Sequence, residues 1–536
     1  MIITLKKTKE EMIMKTKVLS KLAITACIGL FAISSSFAQE RKIISHPQTE
    51  EEFEKLMPVS GQVETFFGSF DLEYSTLTKE SGDKLYKVID HQRASQLYLW
   101  GLPIVAMEGF EQNSFRNFKD YHYNALIQIE TFNERRGYLT ANETTNYVIG
   151  NINTRKSAVI VKLPPGKIVG MIVDMWEQSP TDIGIYGPES GKGATFIIVG
   201  PNTPQEMIPE PQGVFDDFRV VHIDTDRGGI LMRILGTKEE VDATWAKLQV
   251  YSYGEEPGVT VIGGEDKFAP TYQPRGIAYW EMLHTAIQNE PVQERDRFFM
   301  YWLKTLGIEK GKPFKPTEYQ TGVLLDGAKL GELMAKNLVF NERLEGVLRQ
   351  NAWRYVLGGA WGEGIKGEQS MKYYDIFDPR ARYTYEAQMT SPAMTIPRAG
   401  TSQGYLGKFE DENNEPLKGD QMYVIEVSGP IPAKMFWSFT VYDNQTRVLL
   451  DNRATGGDVT VDSTDPKVKF NQDGSFYILL GPGAAPKGWE SNYIRTLPKR
   501  GWFTYLRAYG AEKAFFDDSY KLPTITNVKS FAEFMK

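Results

Sequence analysis

The spacing of apolar positions divides this chain of 536 residues into four segments. In the stretch Ala94-Ser95-Gln96-Leu97-Tyr98-Leu99-Trp100-Gly101-Leu102-Pro103, a strongly apolar run is punctuated by Gly101 and Pro103, which predicts a helix followed by a turn. From about residue 146 the apolar residues gather in short β-branched runs at 157–163, 168–175, 195–199, 218–223 and 229–235. Gly, Pro, Asn and Asp clusters separate them. Branched side chains pack well on a pleated surface, so this texture predicts an antiparallel sandwich or barrel. Helical spacing returns with Ile277, Trp280, His284 and Ile287 on one stripe, ended by Pro291. Thr317 with Gln320 three residues later forms a capping box ahead of a helix carrying Leu330, Leu333, Met334 and Leu338. Further β-rich runs occupy 421–427, 435–442, 476–480 and 502–509. Asp473-Gly474, between Lys469-Phe470 and Phe476-Tyr477, predicts a hairpin because glycine takes the positive φ that such turns demand.

The expected fold class is therefore α+β, with two antiparallel β-sandwich or jelly-roll-like units and helical segments before and between them. The expected divisions are a signal peptide at 1–38, a mainly helical segment at 39–145, a first β domain at 146–255, a helical connecting region at 256–400 and a C-terminal β domain at 401–536. No internal repeat or long linker interrupts this plan.

The first 38 residues read as targeting sequence. Lys15, Lys17 and Lys21 precede an apolar stretch at 22–33, and Ser36-Phe37-Ala38 supplies small residues where a signal peptidase cuts. That stretch is far shorter than the roughly 20 residues of a membrane span. Cleavage after Ala38 and a periplasmic or secreted location are expected, without a stable membrane span. Cleavage would also remove Cys27, the one cysteine, leaving no thiol for disulfides, metal thiolates or nucleophilic catalysis. The formal charge of −7 and the lack of a basic run argue against a nucleic-acid partner.

Several motifs occur in an order that resembles a known pairing. Tyr98-Leu99-Trp100-Gly101-Leu102-Pro103, Asn151-Ile152-Asn153-Thr154, Asp174-Met175-Trp176 and the stretch from Asp182 through Gly187-Pro188 to Gly193 resemble the bacterial domain of unknown function numbered twelve-fifty-four. Pro432-Ala433-Lys434-Met435-Phe436-Trp437-Ser438, Tyr442-Asp443-Asn444-Gln445-Thr446-Arg447, Asn471-Gln472-Asp473-Gly474-Ser475, Gly481-Pro482, Gly501-Trp502-Phe503 and Arg507-Ala508-Tyr509 are similar to its companion, numbered twelve-fourteen. The chain departs from the first pattern where Asn153-Thr154-Arg155-Lys156 replaces a usual Asp and Thr-Leu-Tyr, and at Ala194. The resemblance implies an exported bacterial protein with β-sandwich or jelly-roll-like halves, and it implies no particular reaction or cofactor.

The chemistry-bearing residues are few. His222, Asp224 and Asp226 at spacing two would share one face of an extended strand, where they could ligate a divalent metal or act as an acid-base pair; the same spacing also suits a polar strand end. Asp174, His222 and Asp224 are the catalytic candidates. Trp100, Asn151, Asn153, Asp174, Trp176, Trp437 and Arg447 mix carboxylate, guanidinium, amide and aromatic surface in the manner of a small-ligand site, against the plainer reading of packing and salt bridging on sheet faces. Gly400-Thr401-Ser402-Gln403-Gly404 fits a nucleophile elbow, but the last histidine, His284, precedes it and Pro392 and Pro397 break the strand it needs. Gly187 to Gly193 with Lys192 misses the P-loop spacing and reads as a hairpin loop. His91 and His122 read as packing residues, and Asn142-Glu143-Thr144 and Asn444-Gln445-Thr446 are sequons. The expected function is binding of a small organic ligand between or within the β domains, with a carboxylate-driven hydrolase as the alternative and a homo-oligomer as the expected assembly.

Overall fold

The computed structural model describes residues 49–210, 218–343, 347–356, 377–396, 398–453 and 456–534. The expected leader and Cys27 lie outside them, as does Pro397. The chain divides into two compact units at Leu85.

In the first unit, α1 (Glu50–Leu56) opens on a capping box in which Thr49 and Glu52 bond each other's backbone N–H. Strands β1 (Gly61–Thr65), β2 (Gly68–Glu73) and β3 (Thr76–Leu77) form a small antiparallel sheet. It buries Phe70 and Leu72 and leaves Phe66 and Tyr74 almost fully exposed.

The long helix α2 (Lys79–Asn117) corrects the expected turn, since it runs straight through Gly101 and Pro103. Proline removes one backbone donor and pushes its ring at the preceding turn, which loosens nearby carbonyls. The carbonyl that loses its donor is that of Leu99, and the carbonyls on either side of it have side-chain partners. The Tyr279 hydroxyl donates to the Tyr98 carbonyl at 2.6 Å and Arg380 Nη2 to that of Trp100 at 3.4 Å. Gly101 is a close-packing position, because a Cβ there would stand 3.0 Å from the Tyr279 hydroxyl.

Ten strands follow: β4 (Leu126–Ile129), β5 (Tyr147–Asn153), β6 (Val159–Leu163), β7 (Ile168–Asp174), β8 (Thr181–Gly184), β9 (Ala194–Val199), β10 (Phe218–His222), β11 (Arg227–Ile234), β12 (Gln249–Ser252) and β13 (Val261–Gly263). They make a six-stranded sheet in the order β13-β4-β5-β11-β7-β8 and a four-stranded sheet β10-β9-β6-β12. The two share a core that includes Val148, Ile172 and Ile230 from one and Val161, Phe196 and Ile198 from the other. Alternate residues of the six-stranded sheet, such as Ile149, Met171 and Val173, face the opposite way into a second and larger core. Burial on both faces explains the unbroken apolar runs. Pairing is mainly antiparallel, with parallel ladders at β9–β10 and β4–β13.

Helices α3 (Ile277–Asn289), α4 (Arg297–Thr305), α5 (Glu318–Phe340) and α6 (Phe377–Glu386) come next. Thr317 and Gln320 cap α5 as expected. Its buried face keeps Leu338 but alternates large residues with the small ones Gly327, Ala328, Gly331 and Ala335. A Cβ at Gly327 would stand 2.3 Å from Ala94 and one at Gly331 2.5 Å from Tyr98, so backbone approach to α2 turns Leu330 and Leu333 outward instead.

The second β unit comprises β14 (Arg354–Tyr355), β15 (Gln403–Lys408), β16 (Met422–Val427), β17 (Ala433–Asp443), β18 (Thr460–Asp462), β19 (Phe476–Gly481), β20 (Tyr493–Arg495), β21 (Trp502–Ala511) and β22 (Thr524–Val528). Five strands pair as β14-β15-β21-β17-β18 and four as β20-β19-β16-β22. Gly474 takes φ 80° in the expected turn, yet Lys469-Phe470 forms no strand; Asp473 accepts from Ser475 N and closes a local turn instead. The fold is thus α+β with antiparallel-rich sandwich-like units, as the periodicity implies.

Candidate functional site

A cavity of about 110 Å³ lies between the outer face of the six-stranded sheet and the face of the five-stranded sheet that carries Tyr405, Tyr505 and Arg507. Strand alternation builds it. Ile149 of β5, Met171 of β7 and Leu231 of β11 point into it while their neighbours face the sandwich core. On the other side Tyr405 of β15 and Arg507 of β21 are register partners. The segment after α6 closes one flank with Ala387, Met389 and Met394, and the 138–141 loop closes another. A single water needs only roughly 10–15 Å³ by this measure, so the space suits a small molecule.

Two guanidinium groups stand in this wall. Arg507 is 4% exposed; it donates from Nη1 to the Tyr442 hydroxyl and from Nη2 to the Thr140 carbonyl at 2.5 Å. Arg233 is partly buried and donates to the hydroxyls of Thr145 (3.1 Å), Tyr509 (3.3 Å) and Tyr147 (2.9 Å). All of these acceptors are neutral. The Arg233 guanidinium also lies 4.4 Å from the Tyr147 ring centre. Among the lining residues the acidic group is Asp182, buried, with its carboxylate accepting from Ala393 N at 2.8 Å and from Ser391. Burial pushes its pKa up to about 6 against those hydrogen bonds.

Backbone strain collects here. Thr140 (φ 41°) and Met389 (φ 59°) line the cavity in the left-handed region that side chains avoid. Their neighbours share it. Glu177 (φ 60°) accepts from Met389 N at 3.2 Å, and the carbonyl of Arg447 (φ 62°) accepts from Thr140 N at 2.8 Å. Each such residue costs about 1–3 kcal/mol and persists only where its surroundings hold it.

The sequence-derived candidates lie elsewhere. Trp100 is core, its indole donating to Asp296 at 2.9 Å and its ring 5.0 Å from Trp176. Asn151 is buried with its Oδ1 accepting from Tyr121, and Asn153 turns to a separate open groove with His122, Arg155 and Lys156. Asp174 accepts from Trp176 N and Gln178 N, which shapes the turn that sets Glu177 against Met389. Burial pushes the Asp174 carboxyl up to about 7. Trp437 stacks on Phe476 at 4.8 Å, and Arg447 holds Tyr385 O and Gln273.

The proposed metal set does not assemble. Strand β10 ends at His222, so period-two facing stops there; His222 and Asp224 are exposed while Asp226 turns inward to Asn202 and Arg155. Among the described residues no group of three or more His, Cys, Asp or Glu is placed to hold a metal ion. Ser402 exchanges hydrogen bonds with the Arg398 backbone and serves its turn. The glycine loop at 187–193 is filled by its own Glu189, whose carboxylate accepts from Gly184 N. Asn142 of the first sequon is fully buried.

Arg233 and Arg507 were missed as site residues, although a signal existed. Each interrupts a run that is otherwise apolar and buried on both faces, where a charge is costly and needs a reason. Asp182 and Arg507 also stand within the motifs that carry the resemblance.

The model for a protein of unknown function, DUF1254, matches residues 123–252, and that for a second protein of unknown function, DUF1214, matches 402–513. No curated protein matches the chain. A crystal structure of the VPA0106 protein from Vibrio parahaemolyticus is 19% identical, covers 82% of this chain and 100% of its own, and superposes with a TM-score of 0.48. An uncharacterized protein from Burkholderia cenocepacia is 11% identical, covers 83% and 96%, and gives 0.36. Among the described residues no helix is long and apolar enough to cross a membrane. The two matches fall in the order DUF1254 then DUF1214 along the chain and include most strands of the two sheets that face the cavity.

Proposed function

We propose that this protein binds a small organic ligand in the cavity between the facing sheets of its two β units. The supporting observation is the combination found there: apolar walls, a few convergent polar groups, and strained Thr140 and Met389 held at the rim. Crystals soaked with a library of small organic fragments test it. Fragments are expected to accumulate in this cavity, and a cavity left empty while other surfaces fill would overturn the reading.

The carboxylate-driven hydrolase gains less support. Asp174, His222 and Asp224 do not line the cavity, and Asp182, which does, has its carboxylate engaged by Ser391 and Ala393. Export belongs to the same proposal and rests on the lysines and apolar stretch ahead of Gln39. A mature protein beginning at residue 39 in intact-mass measurement is its test, and a retained leader would refute it.

A further inference from the structure

We propose that the ligand is a small monocarboxylate with an apolar body, its carboxylate received by Arg507, Arg233 and the hydroxyl of Tyr147. The inference deepens the small-ligand reading and rests on it. Three observations carry it.

First, the two cations have no anion among the described residues. None of the described carboxylates pairs with either guanidinium, and the partners of both are hydroxyls and a carbonyl. A buried charge is normally kept only with a charged partner, since desolvation is otherwise uncompensated. Arg233 lies 5.9 Å from the Tyr509 ring centre and Arg507 5.8 Å from that of Tyr405, and these two rings are 6.4 Å apart, so the two positive centres belong to one cluster.

Second, the Tyr147 hydroxyl has a proton to give and, among the described residues, no acceptor for it. It accepts from Asn142 N at 2.7 Å and from Arg233 Nη2 at 2.9 Å, and both donors are incapable of accepting. Those two bonds fill its lone pairs. Tyr509, behind it, is in the same position, accepting from Arg233 and from Asn142 Nδ2 at 2.6 Å. The orientation of that amide is settled by Thr144 N, which donates to Asn142 Oδ1 at 2.7 Å. Donors therefore converge on the cavity, and a planar carboxylate offers the matching acceptors.

Third, the rest of the wall is unsuited to a larger or more highly charged anion. Leu139, Ile149, Met171 and Leu231 would face the body of the ligand, and Asp182 would repel a second negative charge once ionised.

Isothermal titration of the full chain with straight-chain monocarboxylates from butanoate to octanoate, and with the matching primary amides, tests this directly. The acids are expected to bind at least about 10-fold tighter than the amides, with Arg507→Met weakening the acids about 10- to 100-fold, the range of one charge-assisted hydrogen bond. Tyr147→Phe should weaken the acids about 3- to 10-fold and the amides by less, because a neutral carbonyl accepts a weaker hydrogen bond; it keeps the ring and decides the matter if Arg507→Met does not fold. Amides that bind as well as acids would refute the carboxylate while sparing the small-ligand reading. Acid binding indifferent to Tyr147→Phe and to a folded Arg507→Met would refute the assigned donors. Silence from both series would refute the monocarboxylate, and the fragment soak decides separately whether the small-ligand reading stands.

Discussion

Two arginine clusters within the second compact unit differ in one respect. Arg227 donates to Glu108 at 2.9 Å, to Glu111, and to Glu290 at 2.5 Å, so three carboxylates surround one cation, all buried. Arg233 and Arg507 present two cations whose partners among the described residues are all neutral. The first cluster is closed: every guanidinium edge meets an anion, and it ties α2, β11 and the end of α3 together. The second is open on the side of the cavity. Charge that is saturated internally supports the fold, whereas charge left over beside a void is what a ligand can use.

The largest expected effect breaks the closed cluster. Arg227→Met leaves three buried carboxylates facing one another and should cost about 3–5 kcal/mol in urea unfolding. A loss below about 1 kcal/mol would show that the cluster is not what holds these elements. Next comes its pH dependence. Burial, opposed by Arg227 and reinforced by Glu108, pushes the Glu111 carboxyl from 4.5 up to about 7. Between those values the folded chain holds more protons than the unfolded one, so this contribution is fully present below about pH 4.5 and is lost as pH rises through about 7. Glu111→Gln should flatten that decline by roughly 3 kcal/mol, and an unchanged slope would contradict the burial argument.

The smallest effect belongs to the open cluster. Without ligand, Arg507→Met orphans only a carbonyl and a hydroxyl, and should cost about 1–2 kcal/mol, clearly less than Arg227→Met. Equal losses in the two variants would erase the distinction between them.

Strands were legible in the sequence because β-branched runs such as 195–199 and aromatic ones such as 502–509 report burial directly, whichever face is covered. The α5 cap was legible because Thr317 and Gln320 act locally. The course of α2 through Pro103 was not, since Tyr279 and Arg380 come from distant elements to take up the carbonyls on either side of that of Leu99. The inward face of α5 was hidden for a related reason: helix approach is set by Gly327 and Gly331, which contribute nothing to an apolar stripe. At the site, Asp174 and Trp176 drew notice by their chemistry, yet they shape a turn beside the cavity. Arg233 and Arg507 are brought together by the pairing of two sheets far apart in the chain, and spacing along one strand could not reveal that.

The most direct test is a crystal structure of the full chain grown with hexanoate. The account predicts a carboxylate within hydrogen-bond distance of Arg507 and of the Tyr147 hydroxyl, with the alkyl chain against Met171 and Leu231. Hexanoate bound elsewhere with the cavity holding only water, or bound with its carboxylate turned away from both arginines, would contradict it.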